Sequence, residues 1–163
     1  MRALGIAWAA ATLAAVACGG GSRARSTGPA DDTYADFTCN ERHAQYVVVG
    51  GFVAPELGIE IRCSDTEQTI RKWTADDSGN RDETVQPLSR AEFDDVWRSF
   101  EDAGWRNLSD CINPRAKDTD EVYTFEIGDA DASVTLTCQG KANDLPFPFD
   151  RLVNALDVVA AAH

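Results

Sequence analysis

From residue 46 onward, apolar and polar positions fall into short runs of period two. Tyr46-Val47-Val48-Val49 is β-branched and aromatic, Gly50-Gly51 interrupts it, and Phe52-Val53 resumes it before a turn signal at Pro55-Glu56-Leu57-Gly58. Ile59, Ile61 and Cys63 then alternate with Glu60 and Arg62, the pattern of a half-buried strand. A third strand is expected over Gln68 to Thr74, and Asp76-Asp77-Ser78-Gly79-Asn80 opens a loop. Together these segments predict a meander.

The period changes to 3.6 after Ser89. Ser89 and Glu92 have the spacing of a capping box, in which each side chain bonds a backbone N–H that the first helical turn leaves unpaired. Leu88 and Phe93 flank it as a hydrophobic staple. Phe93, Val96, Trp97 and Phe100 share one helical face, which makes them core residues, and Gly104 is placed to stop the helix. A hairpin follows: Tyr123, Phe125 and Ile127 alternate with polar residues, Gly128-Asp129-Ala130-Asp131 turns, and Val134, Leu136 and Cys138 alternate again. Phe149, Leu152, Val153, Leu156 and Val159 predict a terminal helix, with Pro146 and Pro148 at its entrance, where missing N–H groups cost little. The order is β-β-β-α-β-β-α: an α+β domain with an antiparallel sheet of about five strands and helices on one face.

Ahead of this domain the chain has a different character. Met1-Arg2 and the uncharged, Ala-rich stretch Ala3 to Ala17 read as a signal peptide over residues 1–17. The run ends at Cys18-Gly19-Gly20-Gly21, short of the roughly 20 apolar residues that span a bilayer. Ala15-Val16-Ala17 suits ordinary signal peptidase, and the same residues followed by Cys18 resemble a bacterial lipobox, with Ala15 where leucine is usual. Lipid on Cys18 is the preferred reading, because it leaves four cysteines that can pair completely in an oxidising compartment. Gly19 is not the aspartate that retains lipoproteins at the inner membrane. The resemblance therefore implies the outer membrane, with the domain periplasmic or surface-exposed, held by acyl chains. Residues 18–36 form a polar, glycine-rich tether, and residues 37–163 the domain. Four cysteines allow three pairings; Cys39–Cys63 and Cys111–Cys138 are the ones expected. Each closes a loop of roughly 25 residues, a constraint that stabilises by about 3 kcal/mol.

Composition narrows the function. A formal charge of -12 disfavours nucleic acid, whose phosphates require clustered Lys and Arg, and is explained by solubility or by a basic partner surface. There are two histidines, His43 and the terminal His163, and no nucleophile elbow, zinc motif or phosphate loop, so no catalytic set can be assembled. The acidic clusters Asp76-Asp77, Asp94-Asp95 and Asp118 with Asp120-Glu121 read as solvated surface. A non-enzymatic, monomeric domain without cofactor or metal is expected.

One succession of features resembles a known family. A strand interrupted by Gly50-Gly51-Phe52 is followed by Leu88-Ser89-Arg90-Ala91-Glu92 before a helix. An acidic residue then precedes Tyr-x-x-x-Ile at Asp120-Glu121-Val122-Tyr123-Thr124-Phe125-Glu126-Ile127, and Leu145-Pro146 leads to a helix carrying Leu152 and Leu156. This pattern, over roughly Tyr46 to Leu156, resembles the emfourin-like group of small bacterial α+β proteins. Its characterised members inhibit thermolysin-like metalloproteases. The four domain cysteines and the long Trp105 to Asp120 connection are additions to that pattern. The resemblance implies a protein-binding module, with a secreted or periplasmic protease as partner. In that reading Gly50, Gly51 and Phe52 form a partner-contacting edge, glycine allowing close backbone approach and Phe52 supplying an apolar anchor. Two other readings stand beside it: Gly50-Gly51 as a β-bulge that directs Phe52 into the core, and the chain as a structural envelope lipoprotein without inhibitory activity.

Overall fold

Alternating β-branched and aromatic residues fold the first half of the domain into four successive strands. These are β1 (His43–Val49), β2 (Glu56–Cys63), β3 (Gln68–Ala75) and β4 (Arg81–Leu88). Helix α1 (Arg90–Ala103) follows, then the hairpin of β5 (Val122–Gly128) and β6 (Ser133–Gln139), and finally α2 (Phe149–Ala162). The structure, a computed structural model, describes residues 39–51 and 55–163. The segments expected to be a signal peptide and a tether, with Cys18, and Phe52 all lie outside the described residues. Among the described residues no helix is long and apolar enough to cross a membrane.

The strands form one sheet of order β4-β3-β2-β1-β5-β6, every neighbouring pair antiparallel. The α+β architecture is the one read from the sequence, with one strand more. Arg81–Leu88 lies in the polar stretch before the helix and carries Pro87, yet it pairs along its whole length with β3. It is an edge strand, exposed on both faces for most of its length, so no apolar alternation marks it. The second strand also starts earlier than the turn signal suggested. Glu56, Leu57 and Gly58 belong to β2, because Gly58 provides the space on which Trp73 lies.

Register places the sheet residues of the main core cluster on one face. Ala44 lies opposite Ile61 and Ile127, and Ile61 opposite Ile70; Tyr46 lies opposite Ile59 and Phe125. Phe93 and Phe100 of α1 and Leu152 and Leu156 of α2 are fully buried with them. Each such side chain stabilises the fold by roughly 1.5–3 kcal/mol. The capping box forms as its spacing requires. Ser89 Oγ accepts from Glu92 N at 3.2 Å while Ser89 N donates to Glu92 Oε2 at 2.8 Å. Gly104, at φ 69°, adopts the left-handed conformation that closes the helix. Helix α2 is pinned to the sheet by polar contacts at its far end: Tyr46 OH donates to Asp157 at 2.5 Å, and Lys72 Nζ donates to the Ala160 carbonyl at 3.0 Å.

Both disulfides pair as expected, Cys39 with Cys63 and Cys111 with Cys138, at Cα separations of 5.3 Å and 4.9 Å. The second holds a strap along the β6 edge. Cys111 N donates to Thr137 O at 2.9 Å, Thr137 N donates to Asp110 Oδ1 at 2.6 Å, and Asn113 Nδ2 donates to Gln139 O at 3.0 Å.

Candidate functional site

Strand β1 ends at Val49, which pairs with Glu56 on one side and Val122 on the other. The next two residues leave the sheet in left-handed conformations, Gly50 at φ 87° and Gly51 at φ 63°, which only glycine adopts at little cost. The pair therefore ends the strand; it does not bulge it. At Gly51 close approach adds a second reason for glycine: a Cβ there would lie 2.6 Å from Glu121 Oε1, whereas one on Gly50 would sit in ordinary contact, 3.8 Å from the Asp120 carbonyl.

Glu121 is itself tightly framed. Its carbonyl accepts from Gly140 N at 2.9 Å, and the turn before it is closed by Asp120 N donating to Lys117 O at 2.9 Å. Asp120 Oδ2 returns the bond by accepting from Lys117 N at 2.8 Å. Gly51, Lys117, Thr119, Asp120, Glu121 and Lys141 line a cleft of about 270 Å³ at this end of the sheet. Glu121 Oε2 is buried and, among the described residues, accepts no hydrogen bond.

Gly50-Gly51 and Asp120-Glu121 thus meet across the β1–β5 pairing although they are far apart in sequence. Leu145 joins them at one remove. It lies beside Gly140, and Asn113 Nδ2 bridges the carbonyls of Gln139 and Asp144 at 3.0 Å and 3.2 Å. Leu88 to Glu92 does not join them. Leu88 pairs with Gln68, whose other neighbour is Cys63, at the opposite end of the sheet.

The sheet face away from the helices holds features that spacing did not indicate. Glu60 is 6% exposed, and its carboxylate is held by Arg62 at 2.7 Å and Arg71 at 3.3 Å. Trp73 lies flat on Gly58, donates to Glu56 Oε1 at 2.7 Å and is covered by the Arg81 guanidinium at 4.0 Å from its ring centre. With both ring faces occupied, Trp73 is a structural clamp. Its signal existed only in the Gly58–Trp73 register. His43 sits on the same face, Nδ1 against the Glu41 carbonyl at 3.0 Å and Nε2 3.9 Å from Glu126.

The acidic clusters are largely spent on local structure. Asp76 Oδ1 accepts from Ser78 N and Asn80 N, both at 2.9 Å, and the Asn80 and Ser78 bonds hold this carboxylate below its usual range. Asp95 pairs with Arg98 at 3.1 Å. Burial raises Asp94. Among the described residues no group of three His, Cys, Asp or Glu side chains comes together as a metal site.

Two tyrosines beneath the site are also perturbed. Burial first, then the Asp157 carboxylate, raises Tyr46. Burial and the nearby Glu121 and Asp157 charges push Tyr123 up to about 12. No protein-family model matches the chain, and no curated protein is significantly similar to it.

Proposed function

We propose that this chain is an exported lipoprotein whose domain binds a partner protein without catalysing a reaction. In this reading the partner is a thermolysin-like metalloprotease that the domain inhibits. The observation that carries the proposal is the seating of the Gly50-Gly51 turn on Glu121. It joins two separated pieces of the emfourin-like pattern into one surface at one end of the sheet. The strand end that carries this turn meets a partner at reduced ordering cost, because Val49 is held by pairing with Glu56 and Val122. Phe52, next in the chain, supplies the apolar anchor, and lipid on Cys18 holds the domain at the outer membrane through the tether.

Incubating the full chain at micromolar concentration with a panel of thermolysin-like metalloproteases tests inhibition directly. Slowed hydrolysis by at least one of them supports the reading, and unchanged rates throughout remove it in favour of an envelope role. Intact mass tests the anchor independently. Diacylglycerol and an acyl chain on a product beginning at Cys18 are expected; an unmodified chain, or one cleaved without lipid, would overturn the lipoprotein part alone.

A further inference from the structure

Helices α1 and α2 lie side by side and antiparallel, with His163 at the end of α2 placed 3.2 Å from Glu92 in the first turn of α1. Their outer surfaces leave a groove of about 370 Å³. Val96, Ala155, Val158, Val159 and Ala162 make its apolar part, and Val158 is 64% exposed there although larger aliphatic residues elsewhere on the helices are buried. The charged residues lining the groove, Glu92 and Asp95, are both carboxylates. The surroundings carry the same sign. Helix α1 has five carboxylates (Glu92, Asp94, Asp95, Glu101, Asp102) against two arginines (Arg90, Arg98), and α2 has Asp150 and Asp157 against Arg151. Among the described residues both lining carboxylates have a cationic neighbour: Asp95 pairs with Arg98, highly exposed at both partners and so held weakly, and Glu92 lies 3.2 Å from His163, which is charged only when protonated.

An apolar floor with carboxylates along its α1 wall, Glu92 and Asp95, is complementary to a helix whose apolar stripe is bordered by Lys or Arg. A second copy of this chain is a poor occupant, since each carries -12 and offers carboxylates to carboxylates. We propose that the α1–α2 groove is a docking site for a cationic amphipathic helix. It is distinct from the Gly50-Gly51 surface, because Glu92 follows Leu88 at the opposite end of the sheet.

The test is titration of the full chain with a synthetic 18-residue helix of leucine and lysine at amphipathic spacing. Two control peptides accompany it, one with glutamate replacing lysine and one with the leucines scrambled off a single face. The amphipathic cationic peptide is expected to bind at micromolar concentration, at least tenfold more tightly than either control. Val158→Asn and Asp95→Lys, both at exposed positions that the core does not need, should each weaken it at least fivefold with the circular dichroism of the fold unchanged. Amide-exchange protection should fall on residues 92–99 and 154–162. Equal binding of the scrambled cationic peptide, unchanged affinity in both variants, protection elsewhere, or no binding would each overturn the assignment.

Discussion

Gly51 lies directly against the carboxylate arm of Glu121, so close that a methyl group on its Cα would stand 2.6 Å from Oε1 and 2.8 Å from Cδ. Gly51→Ala therefore meets two penalties, the left-handed φ of 63° and the clash. The expected cost is about 1–3 kcal/mol, measured as a shift in urea midpoint at constant m-value. Removing the arm relieves only the clash. Gly51→Ala combined with Glu121→Ala should be less destabilised than the sum of the single variants by at least about 0.5 kcal/mol. Strict additivity would show that the two residues do not meet.

The capping box predicts both a magnitude and a pH dependence. Ser89→Ala should cost about 1 kcal/mol. Bonds from Ser89 hold the Glu92 carboxyl below its usual value, so the unfolded chain takes up this proton first as pH falls. The contribution is thus complete above the ordinary glutamate value of about 4.3 and is lost below it, through the depressed folded value. The stability gap between wild type and Glu92→Gln should narrow as pH drops from 5 towards 3. A gap that widens would contradict the assignment.

At alkaline pH the sign reverses. Tyr46 and Tyr123 both titrate higher in the fold than in the unfolded chain, chiefly through burial, so above about pH 10 the unfolded state alone releases their protons. Stability should be flat with respect to these groups below pH 10 and fall above it. Tyr123→Phe should reduce the slope between pH 10 and 12 by about one proton, as read from urea midpoints in that range. An unchanged slope would mean that Tyr123 is not perturbed.

The two disulfides predict separate losses. Replacing Cys39 and Cys63 together by alanine, or Cys111 and Cys138 together, should each cost about 3 kcal/mol. The second pair should also raise amide exchange along the β6 edge, because the strap at Asp110 to Asn113 would no longer be held there. Loss of four thiol hydrogens in the intact mass checks that both bonds form.

What could be read beforehand was local. The Ser89–Glu92 spacing, the Gly104 stop and the alternation across Tyr123 to Cys138 are properties of neighbouring residues, and each formed as its chemistry requires. Strand β4 carries no periodic signal because an exposed edge strand needs no apolar face; its partner β3 defines it. The clamp of Trp73 on Gly58 and the burial of Glu60 between two arginines depend on β2–β3 register, which no single segment contains. The site was legible in its parts. Gly50-Gly51 and Asp120-Glu121 could be noticed separately, but their contact exists only once β1 and β5 pair.

The surface built on Gly51 and Glu121 is tested most directly by titrating each protease of the thermolysin-like panel with the full chain, following hydrolysis of a peptide substrate and reading the most sensitive one. We expect activity to fall in proportion to added protein, and Phe52→Ser to require at least tenfold more protein for the same loss while remaining folded. Full protease activity at micromolar wild-type protein, or equal inhibition by Phe52→Ser, would contradict the proposal that this end of the sheet binds the protease.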